Sequence, residues 1–512
     1  MVDMTSKLTG TVPPAPAGAA SGGLDTTEMR SLGLQSAQER AARGKSARTS
    51  VPLEAHADFR RSEGVDPIRL LLRQAKTRLP ELVPIRHGRM LVSPFTFYRG
   101  AALIMAADLA GTPTSPFGTQ LCGDAHLSNF GGYASPERRL VFDINDFDET
   151  YPGPFEWDVK RLAASFAVAG RDNGFTTKET RKATLSAVET YRTAMRTFAT
   201  QPILTVWYAH LDIENTIARF EATLTDRERK ERRAALKDTR KAIVKARTRD
   251  SLHALDKLTT VVDGRRRLIS DPPLITRLDD MTGLDTGEVL QRLTAMMADY
   301  RDTLAADRRR LLDHYALVDI AHKVVGVGSV GTRAWVLLLN GGAEGEVLLL
   351  QAKEAQRSVL ADFAPPIASG DTRDDPPSTN NEVYEGERVV TGQRLMQATS
   401  DIFLGWLRTT PVGGGKADYY LRQLRDWKVS AEIDQFTPTR METYARMCGW
   451  TLARAHARAG DRIAIAAYLG KSDRFDQAVA DFAETYADQN ERDHAALAAA
   501  VEAGRVQAQF GV

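Results

Sequence analysis

Two short polar motifs, each directly after a strand-like segment, constrain the fold of this chain more than any other feature. The first, GDAHLSNFG at residues 123–131, follows the β-rich residues 119–122. The second, NDFDET at residues 145–150, follows the strand-like residues 139–144. Such loops, together with the amphipathic helical pattern at residues 157–169, predict a mixed α+β fold. Because Asp, Asn and Gly are common in turns, either motif alone could be purely structural.

Together, the two motifs contain the residue types that phosphoryl transfer requires. One carboxylate must orient or deprotonate the attacking hydroxyl, and hard oxygen ligands must hold Mg²⁺ against the phosphates of a nucleotide. Asp124 is the candidate for the first role. Asn129 and Asp146 are the candidate metal ligands, and Asp143 is the alternative. His126 could also bind zinc or iron, but no second histidine or cysteine pair lies near it in the sequence.

A third motif, KVVGVGSVGTR, has the pattern Gly-x-Gly-x-x-Gly at Gly326, Gly328 and Gly331, with Ser329 between the last two. The stretch that follows it, AWVLLLNGG, has the pattern of a strand and a turn. This strand-loop-strand context favours a hairpin that covers nucleotide phosphates over a dinucleotide-binding loop, which opens a helix. A glycine-rich hairpin without a ligand is the alternative.

Lys353 ends the otherwise apolar run VLLLQAK. Because a lysine is costly to bury without an anion, we expect it to reach the phosphates of the nucleotide, unless it simply extends into solvent. Glu387, in the helical stretch ERVVTGQRLMQA, is the candidate to hold this lysine, with Glu382 and Glu385 as competitors. The strand-like residues 419–424 are predicted to lie beside the adenine.

The first two motifs resemble those of aminoglycoside and choline phosphotransferases. The catalytic loop of those kinases reads His-Gly-Asp-x-His-x-x-Asn, and residues 122–129 match it except that Cys122 replaces the leading histidine. Those kinases next carry an Ile-Asp-Phe/Trp metal motif, and twelve residues later an Asp-Leu-Ala helix start. Asp146 and Asp158 have the same separation here.

The resemblance implies a role for each matched residue. Asp124 is the catalytic base or hydroxyl-orienting group, and His126 braces the catalytic loop. Asn129 and Asp146 are Mg²⁺ ligands. Asp158 accepts hydrogen bonds that hold the loop in place.

The resemblance also implies a protein-kinase-like, two-lobed fold with extra helices, which binds ATP and Mg²⁺. Here the glycine motif follows the catalytic loop by about 200 residues, whereas in ordinary kinases it comes first. We therefore expect a circularly permuted chain, which is physically possible when chain ends lie at the surface. The acceptor is a hydroxyl group on an unknown small molecule or a protein. A nucleotide-binding module without transfer, and an enzyme that transfers AMP, are the alternatives.

The chain also resembles a bacterial family known only as a domain of unknown function, from about residue 65 to residue 506. The matching stretches include LVPIRHGRMLVSPFTFYRGAA, GDAHLSNFG, FDINDFDET, KVVGVGSVGTR and YADQNERDH. This resemblance implies no particular substrate. Within the first stretch, Arg99 could contact a phosphate or a carboxylate, and the local sequence does not separate these. His456, in LARAHARAGD, is expected on a helix surface.

Composition and spacing predict five regions along the 512 residues. They are a disordered arm (1–55), a catalytic-loop part (56–200), a helical segment (201–315), a β-rich glycine-loop part (316–430) and a C-terminal helical part (431–512). The net charge of +2 argues against a dedicated nucleic-acid-binding protein. With two cysteines, no apolar run of membrane-spanning length and no secretory pattern in its first residues, the chain is expected in the cytoplasm without membrane contact.

Overall fold

Helices and antiparallel sheets alternate along the chain, which is a mixed α+β protein. The computed structural model describes residues 35–222, 241, 251–281, 286–324, 326–343, 346–366, 384–410, 416–424, 427 and 429–511. The competing glutamate Glu382 and the first 34 residues of the predicted N-terminal arm lie outside the described residues. Among the helices that are described, none is both long enough and apolar enough to cross a bilayer.

The predicted disordered arm contains a helix, α1 (Ala37–Ser50), so this prediction was wrong for residues 37–50. The helix begins after Ser36, whose side chain accepts a hydrogen bond from the backbone amide of Glu39, and the Glu39 carboxylate accepts one from the backbone amide of Ser36. A short 3₁₀ helix, Leu53–Ala57, follows it. Order therefore begins well before residue 67, where the apolar helical pattern becomes visible in the sequence.

Helix α1 is held by contacts with the C-terminal part of the chain. Arg40 and Arg43 form ion pairs of 2.5 and 2.6 Å with the buried carboxylate of Asp461. Gly44 lies directly against the backbone oxygen of Ala464, where any side chain would collide. A segment poor in large apolar residues is thus ordered by close backbone packing and ion pairs.

Four short helices lead from this region to the first motif: α2 (Pro67–Ala75), α3 (Val83–Met90), α4 (Pro94–Gly100) and α5 (Ala102–Leu109). Four strands then surround the two motifs: β1 (Gly118–Leu121), β2 (Phe130–Ala134), β3 (Leu140–Ile144) and β4 (Tyr151–Pro154). Strand β1 pairs with β4, and β2 pairs with β3, both antiparallel. This pairing brings the loop between β1 and β2 next to the loop between β3 and β4, so the two polar motifs lie side by side.

Long helices form the body beneath these loops. Helices α6 (Phe155–Asp172) and α7 (Thr177–Ala199) follow β4, and α6 is buried along nearly its whole length. The predicted helical segment then begins with α8 (Ile203–Tyr208), the short strand β5 (Leu211–Asp212) and α9 (Ile213–Ala222).

The remainder of that segment is less helical than predicted. Helix α10 (Ser251–Leu258) is followed by the hairpin β6 (Thr259–Val262) and β7 (Arg265–Leu268), and by β8 (Ile275–Arg277). Helices α11 (Thr286–Asp302) and α12 (Ala306–Leu312) complete it. The prediction missed these strands because they are only three or four residues long.

A six-stranded antiparallel sheet forms the glycine-motif part. Its strands after β8 are β9 (Ala316–Lys323), β10 (Ala334–Asn340), β11 (Val347–Ala355), β12 (Gly405–Thr409) and β13 (Ala417–Gln423), and helix α13 (Glu385–Met396) lies between β11 and β12 in sequence. The spatial order is β12-β13-β11-β10-β9-β8. Along β10, Leu337 and Leu339 join one apolar cluster while Val336 and Leu338 join another, so both faces of the sheet are covered.

The chain ends in the short strand β14 (Val429–Ser430), which pairs with β2, and in three helices: α14 (Pro438–Ala459), α15 (Arg462–Leu469) and α16 (Arg474–Glu502). Helix α14 packs along α7, and α16 packs along α6. The largest apolar cluster of the described residues fills the space between these helices.

Candidate functional site

A cavity of about 380 Å³ lies where the two polar loops, the glycine motif and helices α2 to α4 meet. This volume is in the range of pockets that hold small ligands. Predicted residues of all three motifs line it: Asp124, His126, Asn129, Asp146, Gly326, Gly328 and Ser329. The structure thus brings together segments that are about 200 residues apart in the sequence.

Asp124 has a fixed side chain at the edge of this cavity. Its Oδ1 atom accepts a hydrogen bond from Arg161 Nε at 2.9 Å and lies 2.8 Å from Arg161 Nη2 in an ion pair. Its Oδ2 atom lies 3.7 Å from His126 Nε2. Burial lowers the pKa of His126 to about 3, so this ring is neutral near pH 7 and packs in the loop without a charge.

Asp158 holds the first loop from below, as the resemblance implied. Its carboxylate accepts hydrogen bonds from the backbone amides of Cys122, at 2.8 Å, and Gly123, at 3.1 Å. Gly123 has φ of +83°, which favours glycine. His456 Nε2 lies 3.2 Å from the same carboxylate and is fully buried, so its predicted surface position was wrong.

Asn129 and Asp146 face the cavity from the two neighbouring loops. Asn129 donates from Nδ2 to the backbone oxygen of Asp124 at 2.9 Å, which leaves Oδ1 as its ligand atom. Among the described residues, no group of three His, Cys, Asp or Glu side chains could hold a metal ion alone. One carboxylate and one amide fit Mg²⁺, because this ion is usually bound by few protein oxygens together with substrate phosphates and water.

The structure gives Asp143, the alternative metal ligand, a structural role. Asp143 is buried and forms an ion pair with the buried Arg454. It also accepts hydrogen bonds from the backbone amides of Ile144, at 2.9 Å, and Ala398, at 2.8 Å. Because these partners use its carboxylate inside the protein, Asp143 is absent from the lining of the cavity.

The glycine motif connects two paired strands, which confirms the predicted strand-loop-strand context. Gly326 and Gly331 have φ of +69° and +90°. A side chain at Gly331 would also lie 2.9 Å from Arg78 Cβ. Both the positive φ and the lack of space therefore favour glycine at this position. At Gly328, an added Cβ would lie 3.2 Å from the backbone oxygen of Arg99. The loop is therefore flanked by the helical segment that carries these arginines.

Lys353 lies at the end of β11 and is almost fully buried. Its Nζ atom is 2.7 Å from Asp148 Oδ2 and 3.7 Å from Asp146 Oδ2. Burial alone would lower the pKa of Lys353, but the carboxylates of Asp146 and Asp148 outweigh it and raise this pKa. The structure thus pairs the lysine with the second motif and not with Glu387, the predicted partner, which lies in the first turn of α13.

Asp148 is one of the residues of the site that the sequence predictions missed. Besides Lys353, its carboxylate accepts a hydrogen bond from Tyr420 Oη at 2.5 Å, and Ser329 Oγ of the glycine motif lies 3.4 Å away. Its backbone oxygen accepts from Arg388 Nη2 at 3.0 Å. The motif NDFDET contains Asp148, but the spacing shared with the metal motif of the similar kinases favoured Asp146 as the metal ligand.

Glu149, Arg78 and Arg86 also line the cavity and were not assigned to the site from sequence, and Arg99, for which the sequence left contact with a phosphate or a carboxylate open, lines it too. Burial raises the pKa of Glu149 to about 7, although the backbone amide of Val359 donates to this carboxylate at 2.7 Å. The site therefore has an acidic side, formed by the two loops, and a basic side, formed by the helical segment.

A family model described as "Uncharacterized protein conserved in bacteria (DUF2252)" matches residues 78–500. The chain belongs to the DUF2252 family. The DUF2252 match contains both polar loops, the glycine motif and Lys353, and it begins at Arg78 of the cavity wall. Helices α1 and α2 precede it. No curated protein matches this DUF2252 chain, and no solved structure matches it.

Proposed function

We propose that this protein is an ATP- and Mg²⁺-dependent phosphotransferase that acts on a hydroxyl group of a small molecule or a protein. One observation supports the proposal above the others. Asp124, Asn129 and Asp146 line the same cavity as the glycine motif, and Lys353 lies 3.7 Å from Asp146. These are the parts that phosphoryl transfer needs, and they come from two distant stretches of the chain.

The order of elements in the sheet supports a kinase-like arrangement. In protein kinases, a glycine-rich loop covers the phosphates and the lysine that contacts them lies on the third strand. Here the glycine motif joins β9 to β10, and Lys353 lies on β11, the next strand in sequence and in space. Because this sheet follows the catalytic loop in sequence, we propose a circularly permuted kinase-like fold.

The residues have roles that follow from their contacts. Asp124, held by Arg161, would orient the acceptor hydroxyl and accept its proton. The acceptor oxygen would bond to the γ-phosphorus as the bond to the β,γ-bridging oxygen breaks, and ADP would leave. Asn129 and Asp146 would hold Mg²⁺, which supplies charge neutralisation at the phosphates when bound. Lys353 would contact the same phosphates.

Nucleotide binding and turnover test this proposal separately. We expect Mg²⁺-ATP to raise the melting temperature of the wild type, because a ligand that binds the folded state stabilises it. Asp146→Asn and Lys353→Ala should weaken binding roughly tenfold or more, since each removes a charged contact to the phosphates. Asp124→Asn should retain binding and lose turnover by roughly 10²–10⁴-fold.

The exposed residues Asp302 and Lys178 provide matched controls. Asp302→Asn and Lys178→Ala should leave both binding and turnover unchanged. A screen of acceptors with labelled ATP, followed by mass analysis of the products, distinguishes phosphate transfer from AMP transfer. An unchanged melting temperature of the wild type at saturating Mg²⁺-ATP would exclude the proposed function.

A further inference from the structure

Three arginines form one wall of the cavity that the acidic loops also line. Arg78 follows helix α2, Arg86 lies in α3, and Arg99 lies in α4. All three line the cavity, and none takes part in an ion pair within the described part of the chain. This wall is unusual because buried charged groups in proteins are normally paired.

The hydrogen bonds of these arginines go mainly to neutral backbone atoms. Arg86, 1% exposed, donates from Nη2 to Gln74 Oε1 and to Gly100 O, both at 2.8 Å. Arg78 donates from Nη1 to Val330 O. Buried nitrogens remain without a partner in the described structure: Arg78 Nε, Arg86 Nε and Nη1, and Arg99 Nε.

Three other buried arginines of the same protein have carboxylate partners, whereas the buried Arg458 donates to the backbone oxygens of Trp207 and Arg394. Arg161 pairs with Asp124, Arg192 with Asp476, and Arg454 with Asp143. By contrast, burial lowers the pKa of Arg78 to about 10 and that of Arg86 well below its ordinary value. An anion in the cavity would supply the missing charge and accept from the unpaired nitrogens, because guanidinium groups bind phosphate oxygens well.

The location favours the acceptor over the nucleotide as the source of this anion. The three arginines line the same cavity as Asp124, whereas Lys353 is not part of its lining. The nucleotide phosphates, in the proposed arrangement, lie at Lys353 and Asp146. A group bound by the arginine wall would therefore be next to the hydroxyl that Asp124 orients.

We propose that Arg78, Arg86 and Arg99 form a subsite for a phosphate group carried by the acceptor. The substrate class is then a phosphorylated hydroxyl compound, to which the enzyme adds a second phosphate. The term acceptor rests on the proposed phosphotransferase function, whereas the anion site itself rests only on the three arginines.

Inorganic phosphate is the probe for this subsite. Calorimetry would measure the binding of phosphate to the full-length chain, first without nucleotide and then with Mg²⁺ and a saturating non-hydrolysable ATP analogue. Arg86→Gln and Arg99→Gln should each weaken phosphate binding roughly tenfold. Arg99 is partly exposed, so its variant tests the site even if the loss of Arg86 impairs folding. Arg69→Gln, on the exposed face of α2, is the matched control and should bind like the wild type.

The two nucleotide conditions separate the possible sources of the anion. Phosphate affinity that is unchanged by the ATP analogue supports an acceptor subsite. Competition between phosphate and the analogue would overturn it, because the arginines would then belong to the nucleotide site. Equal phosphate binding by the wild type and both variants would also overturn it. Arginine-dependent phosphate binding in a protein that does not bind ATP would reject the phosphotransferase function and retain the anion site.

Discussion

At the scale of single residues, Asp146 and Asp148 both line the cavity but differ in their contacts. Asp148 binds Lys353 at 2.7 Å and Tyr420 at 2.5 Å, whereas Asp146 lies 3.7 Å from the lysine. Asp148 connects the second polar loop to two strands of the sheet. Asp148 therefore contributes mainly to the stability of the fold, although it lies in the candidate site.

We expect Asp148→Asn to lower the free energy of unfolding by about 1–3 kcal/mol, because it weakens a charged hydrogen bond to a buried lysine. Asp146→Asn should lower it less and should affect nucleotide binding more. Urea denaturation of both variants checks this, with Asp302→Asn as the surface control. Equal losses of stability in Asp146→Asn and Asp148→Asn would contradict the division of roles.

At the scale of elements, helix α1 is ordered by the surface on which it packs. An added Cβ at Gly44 would lie 2.2 Å from the backbone oxygen of Ala464 and 2.8 Å from Ala467 Cβ. In an exposed helix, replacing glycine by alanine stabilises by up to about 1 kcal/mol. Here we expect the opposite sign, because the helix must move away from α15.

Thermal denaturation and limited proteolysis of Gly44→Ala test this expectation. The variant should be less stable by about 1–3 kcal/mol, as in other overpacked contacts, and should be cut more readily within α1. Lys45→Ala, at the exposed neighbouring position, should change neither property. A more stable Gly44→Ala protein would contradict the close packing of α1 on α15.

At the scale of the whole molecule, helix α13 connects the six-stranded sheet to the helical body through Arg388. This side chain donates to Thr150 O at 2.6 Å, to Asp148 O at 3.0 Å and to Gln356 O at 2.8 Å. One guanidinium therefore joins the second polar loop, the end of β11 and α13. We infer that it couples the position of the sheet to that of the acidic loops.

Loss of this connection should be visible as local opening. In Arg388→Gln, we expect amide hydrogen exchange in α13 and at residues 146–150 to become faster by roughly tenfold or more, because charged hydrogen bonds are lost. Exchange in the core of α14 should stay as in the wild type. Unchanged exchange in α13, or equal acceleration throughout the chain, would contradict a local coupling.

The sequence alone was sufficient to identify the local elements of the site. The loops at residues 123–131 and 145–150 and the glycine hairpin follow from residue types whose effect is local, whereas the sequence left open whether Lys353 is buried. Glycine permits the turns and apolar runs form the strands, whereas the role of Asp158 as a loop acceptor was implied by the resemblance to aminoglycoside and choline phosphotransferases. That role is confirmed by its bonds to Cys122 and Gly123.

Only the tertiary structure decided which charged groups meet. Asp143 pairs with Arg454 and Lys353 pairs with Asp148, across separations of 311 and 205 residues. Arg78, Arg86 and Arg99 face a common cavity without a carboxylate partner. Local sequence cannot predict these relations, because the pairing and burial of a charge depend on which distant elements pack against it.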